Sequence, residues 1–281
     1  MEFLQDSTAF VLVSDYGYFS KAKKTIADLR TVGKWEGDIV LVTIDFNLNK
    51  NFSDFYNVQE KKFPTINQKH DLCSFLNYSP FLDTIDGREI TKLNQWEKLH
   101  VFDEYFKKWK RIVFLDAGLR VLHNVHDSIL KLDYRNSFLA PDDGGNYANL
   151  PNPDKLFKTQ VSHTYYKRLH DSLNSFGGKE ILEEPYFLNC IWVYDTSILD
   201  ICNKHEMVDG ILLHPVCKTN EMTMMNLFIH FKHRLWRRFP VRVDDTSKIL
   251  FEWSEFNNPQ ESTWRDYCFI KYPHSITFED T

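Results

Sequence analysis

The opening of the chain holds the pattern that most constrains the fold. Residues 9–13 (AFVLV) and 39–44 (IVLVTI) are short, continuous apolar runs of strand length. Between them, residues 19–32 repeat apolar side chains at helical spacing, and Gly33 follows as a helix stop. Two non-alternating strands joined by a helix are typical of a parallel pair that is covered on both faces. The sequence therefore predicts a βαβ unit and an α/β fold.

A second clear strand, Arg111 to Asp116 (RIVFLD), ends in an acid. Residues 89–108 before it are predicted to be helical, and residues 119–122 after it to be extended. Ligands of parallel α/β sheets bind beyond the carboxyl ends of the strands. A carboxylate at that position can bind a divalent ion that bridges a diphosphate. Asp-Ala-Gly is equally good turn chemistry, so the residues alone leave a structural role for Asp116 open.

The 281 residues are predicted to form one domain spanning 1–281. Hydrophobic residues make up 43% of the chain, which is enough for a sizeable core, and neither a repeat nor a linker interrupts it. Further predicted elements are strands at 138–141, 187–194 and 267–270 and helices at 162–176 and 221–232.

Charge and cysteine content narrow the partners and the compartment. A formal net charge of -5 argues against a protein that mainly holds nucleic acid by its phosphates. The five cysteines are scattered without a C-x-x-C pair, which is typical of reduced thiols. The sequence has neither a signal-peptide pattern at its start nor an apolar run of the ~18–20 residues that a membrane helix needs. We expect a cytoplasmic protein that binds neither nucleic acid nor membrane.

Several segments, in the right order, resemble the glycogenin-like family (family 8) of retaining glycosyltransferases. Residues 91–96 (TKLNQW) resemble its T-K-L-x-x-W helix, 111–117 (RIVFLDA) its strand ending in D-A-D, and 121–125 (VLHNV) its V-L-x-N-I continuation. Residues 10–18 are similar to its first strand and nucleotide-binding turn. The resemblance implies a GT-A (Rossmann-like) fold with a mixed, mainly parallel sheet and helices on both faces. It also implies hexose transfer from a UDP-sugar, with UDP-glucose as the expected donor, to a glycan, protein or small-molecule acceptor.

The resemblance also assigns the donor site. The implied donor-binding residues are Ser14, Asp15, Tyr18, Lys92, Asp116, Ala117, Gly118 and Lys271. The turn at Ser14 and Asp15 would hold the uridine, and Tyr18 would contact the uracil. Lys92 would reach the donor phosphate or sugar, although a solvated lysine explains it equally well.

A divalent metal, Mn²⁺ or Mg²⁺, is implied at Asp116. In the closing segment, residues 269–275 (FIKYPHS), His274 would complete the metal site and Lys271 would grip the diphosphate. Gly118 stands where the second acid of D-x-D would bind the metal, so one expected ligand is missing. Cationic side chains are the alternative to the metal at this position.

Two residues are candidates for catalysis by the same resemblance. Asn189 lies in a segment similar to the family's F-N-S-G, and Glu221 stands where the acid of its D-Q-x-x-x-N helix lies. Both are expected near the anomeric carbon of the transferred sugar. From the residues alone, Asn189 could instead bond the backbone. Glu221 could be a first-turn acid that favours its helix dipole.

Two other functions compete with this hypothesis. A catalytically silent, glycosyltransferase-like binding protein would explain the loss of the second acid at Gly118. A sugar nucleotidyltransferase shares the fold but usually has a glycine-rich N-terminal loop, and residues 14–24 contain one glycine. Phosphate loops of the ATPase or dinucleotide type are absent from the sequence.

The sequence leaves open whether the protein forms a homodimer.

Overall fold

The computed structural model describes residues 7–68, 90–143, 156–161, 166–217, 220–244, 247–253 and 266–271, with only the backbone of 90–93 and 166–168. The strands are β1 Thr8–Ser14, β2 Asp38–Thr43, β3 Val58–Lys61, β4 Arg111–Leu115, β5 Leu119–Val121, β6 Phe138–Ala140, β7 Ile191–Asp195, β8 Trp236–Arg238, β9 Ile249–Trp253 and β10 Tyr267–Lys271. The α-helices are α1 Phe19–Thr31, α2 Lys50–Tyr56, α3 Tyr166–Asn174, α4 Lys204–Leu213 and α5 Glu221–Met225. A π-helix, Asn226–Lys232, continues α5, and 3₁₀ helices span Ile90–Phe102, Glu104–Lys108, Val125–Asp127, Ile129–Lys131, Phe157–Gln160, Lys179–Glu183 and Thr196–Asp200. Within these ranges, no helix combines the length and the hydropathy required to cross a bilayer.

The strands form a seven-stranded and a three-stranded sheet. The larger sheet has the order β3-β2-β1-β4-β7-β6-β8, and the smaller one has the order β5-β10-β9. In the larger sheet β3, β2, β1 and β4 run parallel, β7 runs antiparallel to β4 and β6, and β8 pairs parallel with β6. The predicted α/β class with a mixed, mainly parallel sheet is confirmed.

The predicted βαβ opening is also confirmed. All seven residues of β1 are buried, as is expected for a strand covered on both faces, and β1 pairs in parallel with β2. Helix α1 buries Ala22, Ile26 and Leu29. The N–H groups of the residues after α1, including that of Gly33, bond to the carbonyl of Asp28 and close the helix.

The segment before β4 is helical, as predicted, but it consists of two 3₁₀ helices. Trp96, Leu99 and Phe102 recur every third residue, and all three are buried. A strict three-residue spacing matches the three residues per turn of a 3₁₀ helix, so these side chains share one face. This face packs on the core and leaves Asn94, Gln95 and Lys98 on the functional side of the sheet.

The strand predicted at 187–194 begins only at Ile191, and Phe187 before it forms an isolated bridge with Asp142 while its own backbone groups bond to the side chain of Asn226. The N–H of Phe187 donates to Oδ1 of Asn226 at 3.0 Å, and Nδ2 of Asn226 donates to the carbonyl of Phe187 at 3.1 Å. These are the backbone groups that a strand would use for its ladder. Nδ2 of Asn226 also donates to the carbonyl of Met222 at 2.9 Å. The α-helical part of the predicted helix 221–232 ends at Met225.

Helix α1 fixes the turn that follows β4. The hydroxyl of Thr25 donates to the carbonyl of Leu119 at 2.8 Å and accepts the N–H of Gly118 at 3.2 Å. One turn further along α1, Asp28 forms a buried ion pair with Arg120, with Oδ2 and Nε 2.6 Å apart. The turn that carries Asp116 is therefore anchored by buried polar contacts, which are costly to break.

The buried carboxyl group of Glu252 on β9 makes the stability of the fold depend on pH. Glu252 is 5% exposed, its Oε2 has no partner among the described residues, and burial raises its pKa to about 7. The folded state therefore favours the protonated form of Glu252. The stability that this form contributes is fully present below the unfolded pKa, near 4.5, and is lost as the pH rises through 7. We expect the free energy of unfolding to fall by about 2 kcal/mol between about pH 5 and about pH 8 from this group.

Urea unfolding of wild type and Glu252→Gln at both pH values checks this expectation. Glutamine does not titrate, so the pH difference in the free energy of unfolding should shrink by that amount. Glu104→Gln, at a side chain that is 76% exposed, serves as the control and should leave it unchanged. A Glu252→Gln variant with the full wild-type pH difference would show that another group is responsible.

Candidate functional site

A cleft lies beyond the carboxyl ends of β1 and β4, where an α/β sheet binds its ligands. Five of the predicted donor-binding residues line it: Ser14, Asp15, Tyr18, Asp116 and Ala117. Asn94, Gln95 and Lys98, which the sequence did not single out, line it as well. The neighbouring positions of β1 and β4 in the parallel sheet bring these segments together across some 100 residues of chain.

The turn after β1 is rigidly held by Asp15. Its Oδ1 accepts the N–H of Tyr18 at 2.9 Å, and its Oδ2 accepts a hydrogen bond from Nδ2 of Asn94 at 2.9 Å. The hydroxyl of Ser14 donates to the carbonyl of Asp15 at 2.8 Å. Asp15 thus fixes the start of α1 and joins it to the 3₁₀ helix Ile90–Phe102. The aromatic ring of Tyr18 lies in the wall of the cleft as a result.

Asp116 follows β4 directly and lies between two lysines. Its N–H donates to the carbonyl of Cys190 at 2.8 Å. Oδ1 of Asp116 is 3.2 Å from Nζ of Lys98, and Oδ2 accepts a hydrogen bond from Nζ of Lys271 at 2.8 Å. Burial acts to raise the pKa of Asp116, but the charges of Lys271 and Lys98 outweigh it and hold the pKa well below its usual range. Asp116 is therefore a carboxylate at any physiological pH.

Lys98 is the charged residue of the cleft that sequence reasoning did not single out. Its Nζ lies 3.2 Å from both Asp116 and Glu221, and its side chain is 11% exposed. Burial acts to lower the pKa of Lys98, but the charges of Asp116 and Glu221 outweigh it and raise the pKa. The side chain of Lys92, the predicted donor ligand, lies outside the described residues. The sequence does contain a pattern that points to Lys98. Residues 98–102 (KLHVF) repeat, six positions later, the K-L-x-x-aromatic pattern of residues 92–96 (KLNQW).

The two predicted catalytic residues are in direct contact. Nδ2 of Asn189 donates to Oε1 of Glu221 at 2.8 Å, so the partner of Asn189 is a side chain and not the backbone. Glu221 is 2% exposed, and its Oε2 accepts no hydrogen bond from the described residues. Burial raises the pKa of Glu221 above its usual value, against the opposing effect of Lys98 and Asn189. A buried oxygen without a partner is a position for a ligand hydroxyl or water.

Together these contacts form a chain of four charges, Lys271–Asp116–Lys98–Glu221, which we call the charge chain. Lys271 comes from β10 of the smaller sheet, and Glu221 begins α5. Nζ of Lys271 also donates to the carbonyl of Ala117 at 2.9 Å. The formal charges of these four residues cancel, and the charge chain reaches from the cleft to the Asn189–Glu221 pair.

The described residues do not form a complete site for the expected Mn²⁺ or Mg²⁺ at Asp116. His274, the other predicted ligand, lies outside the described residues. Within the described ranges, the group of His, Cys, Asp and Glu side chains close enough to share an ion is Cys202, Glu206 and His233. Glu206 is already paired with Lys232 at 2.6 Å and with His233 at 2.8 Å. The metal at Asp116 and His274 stays a prediction.

Neither a protein-family model nor a curated protein matches the sequence. Solved structures of low sequence identity match the fold. An active-site mutant of LgtC, a galactosyltransferase, superposes with a TM-score of 0.57 at 11% identity over 94% of this chain and 86% of that chain. The bifunctional glycosyltransferase WbbM gives 0.54 at 14% identity over 99% of this chain, which spans only 47% of WbbM. Mouse xyloside xylosyltransferase 1 gives 0.50 at 8% identity over 94% of this chain and 96% of that chain.

At such identities the similarities bear on the fold alone, and membership of family 8 stays a prediction. The comparisons agree with the mixed, mainly parallel sheet. The chain has the GT-A fold of glycosyltransferases.

Proposed function

We propose that this protein is a glycosyltransferase that transfers a hexose from a UDP-sugar to an acceptor hydroxyl. The observation that carries the proposal is the position of the charge chain. Within a GT-A fold, it links the cleft between Tyr18 and Asp116 to the buried Asn189–Glu221 pair. LgtC, which has the same fold, was crystallised with donor and acceptor sugar analogues and supports the assignment of the class.

In this proposal the nucleotide occupies the cleft. The ring of Tyr18 offers an aromatic face to the uracil, and Asp15 keeps that ring in place through its bond to the Tyr18 N–H. The diphosphate lies toward Lys98, whose ammonium group lines the cleft beside Asp116. Asp116 acts here as a positioning residue that holds both ammonium groups. The hexose then extends toward Asn189 and Glu221.

The reaction forms a bond between the acceptor oxygen and the anomeric carbon of the hexose. The bond from that carbon to the phosphate oxygen breaks, its electron pair leaves with UDP, and the acceptor proton passes to the departing phosphate. Negative charge gathers on the diphosphate, so fixed cations nearby stabilise the transition state. The carboxylate of Glu221 faces the positive charge that develops at the anomeric carbon. Retention of configuration follows from the family resemblance.

A divalent ion would serve the same chemistry, because it bridges diphosphate oxygens and neutralises the leaving group. Mn²⁺ or Mg²⁺ therefore stays a prediction that metal removal tests. The acceptor class stays open.

One observation favours the alternative of a catalytically silent binding protein. Both carboxylate oxygens of Asp116 are engaged by lysines.

UDP release from a panel of UDP-sugars tests the proposal, with wild type compared with Asp116→Asn. We expect slow hydrolysis of one donor, lowered at least about 100-fold in the variant, because asparagine removes the charge that holds Lys98 and Lys271 in place. Asp133→Asn, at a side chain that is 59% exposed, is the matched control and should retain wild-type rates. Binding of UDP without turnover of any donor, even with candidate acceptors, would favour the silent binder, and failure to bind any donor or UDP would refute the proposal.

Glu221→Gln tests the role of the buried carboxylate. Glutamine keeps the shape and can still face Asn189, so we expect a folded protein with similar KM and a kcat reduced about tenfold or more. Because burial raises the pKa of Glu221, the acid limb of the wild-type pH–rate profile should lie above 4.5, with activity lost as the pH falls through it. The limb should disappear in Glu221→Gln. An unchanged limb in the variant would assign it to another group.

A further inference from the structure

The donor set around Asp116 is unsuited to a divalent cation. Mn²⁺ and Mg²⁺ prefer about six oxygen or nitrogen ligands, usually with more than one carboxylate or with substrate phosphates. Both carboxylate oxygens of Asp116, the one predicted metal ligand among the described residues, are within 3.2 Å of a lysine ammonium group. An ion bound at either oxygen would have to displace a buried cation or lie beside it.

The backbone at Gly118 reinforces this conclusion. Gly118 has a φ of 88°, in the left-handed region where residues with a side chain are strained. Its N–H is bonded to the buried hydroxyl of Thr25, which is itself bonded to Leu119. The turn is therefore built for glycine. A second acid at this position would require the turn and its contacts with α1 to change.

Lys271 has the contacts that a cation at Asp116 would have. Its Nζ bonds Oδ2 of Asp116 at 2.8 Å and the carbonyl of Ala117 at 2.9 Å, and the residue is 3% exposed. An ammonium group has three N–H donors, and these two acceptors use two of them. In the proposal below, the third donates to a phosphate oxygen beside Asp116. Lys98 likewise contacts two carboxylates and lines the cleft beside them.

We propose that this protein binds the diphosphate of its donor without a divalent cation, using the ammonium groups of Lys98 and Lys271 in place of the metal. The inference rests on the proposed function, because it concerns the same cleft. Asp116 fixes both ammonium groups, so that little reorganisation is needed when the diphosphate arrives. Burial in a region of low dielectric strengthens their attraction for phosphate oxygens.

Calorimetric titration of the full chain with UDP tests this inference independently of turnover. Wild type is titrated in EDTA and again with Mn²⁺ or Mg²⁺. We expect the Kd to differ by less than about threefold between these conditions, because the ion adds no required contact. In EDTA, Lys271→Met should weaken UDP binding by about tenfold to 100-fold, the effect of removing a hydrogen bond from a charged group. Lys98→Met should have a similar effect.

A control variant and a double variant distinguish loss of UDP binding from loss of folding. Lys107→Met removes a surface lysine that pairs with Asp200 and should bind UDP as wild type does. Lys271→Met leaves Asp116 with one fewer cation and could destabilise the fold. The double variant Lys271→Met/Asp116→Asn removes both charges, and we expect it to fold while still binding UDP weakly.

The outcomes separate the two proposals. UDP binding that is lost in EDTA and restored by Mn²⁺ or Mg²⁺ would overturn the metal-free site and leave the proposed function intact. A folded Lys271→Met protein with wild-type affinity in EDTA would also overturn it. If UDP binds under neither condition, both the metal-free site and the proposed function fail.

Discussion

A charged side chain that is removed from water requires a charged partner, and this requirement governs the centre of the molecule. Lys98, Lys271 and Glu221 are 8%, 3% and 2% exposed, and each is neutralised through the charge chain. They belong to a 3₁₀ helix, to the smaller sheet and to α5. The charge chain therefore holds three separate parts of the fold at the end of β4. Loss of one member leaves the buried charge chain with an unbalanced charge, so stability and site geometry depend on the same contacts.

The sequence was sufficient to predict the strands and helices whose burial follows from a local pattern of apolar residues. The apolar runs of β1, β2 and β4 and the periodicity of α1 lie where they were expected, since strands covered on both faces need little else. The sequence was insufficient to predict the boundary of an element that depends on a side chain far away along the chain. Asn226 bonds the backbone groups of Phe187 from 39 positions away, just before β7 begins. No window of sequence around residue 187 contains that information.

The site shows the same limit. Asp116 could be found because a strand that ends in an acid is a local signal, and Glu221 and Asn189 because they resemble family motifs. Lys98 could not be chosen over Lys92, because the K-L-x-x-aromatic pattern occurs twice, six residues apart. The position of Lys98 in the cleft depends on how the 3₁₀ helix packs its Trp96–Leu99–Phe102 face on the core. That choice of register is made by tertiary packing.

Gly118 and Lys271 are best understood as a coupled pair. Two acids and one divalent cation have a formal charge of zero, and so do Asp116 and Lys271. Asp116 and Lys271 therefore keep a buried site in charge balance without a second acid and without a metal, where an excess of one charge is costly. One acid with a divalent ion would leave a positive charge in excess, and two acids with one lysine would leave a negative charge in excess. The glycine-compatible backbone at residue 118 and the ammonium group bonded to Asp116 both support the proposed lysine-bound diphosphate.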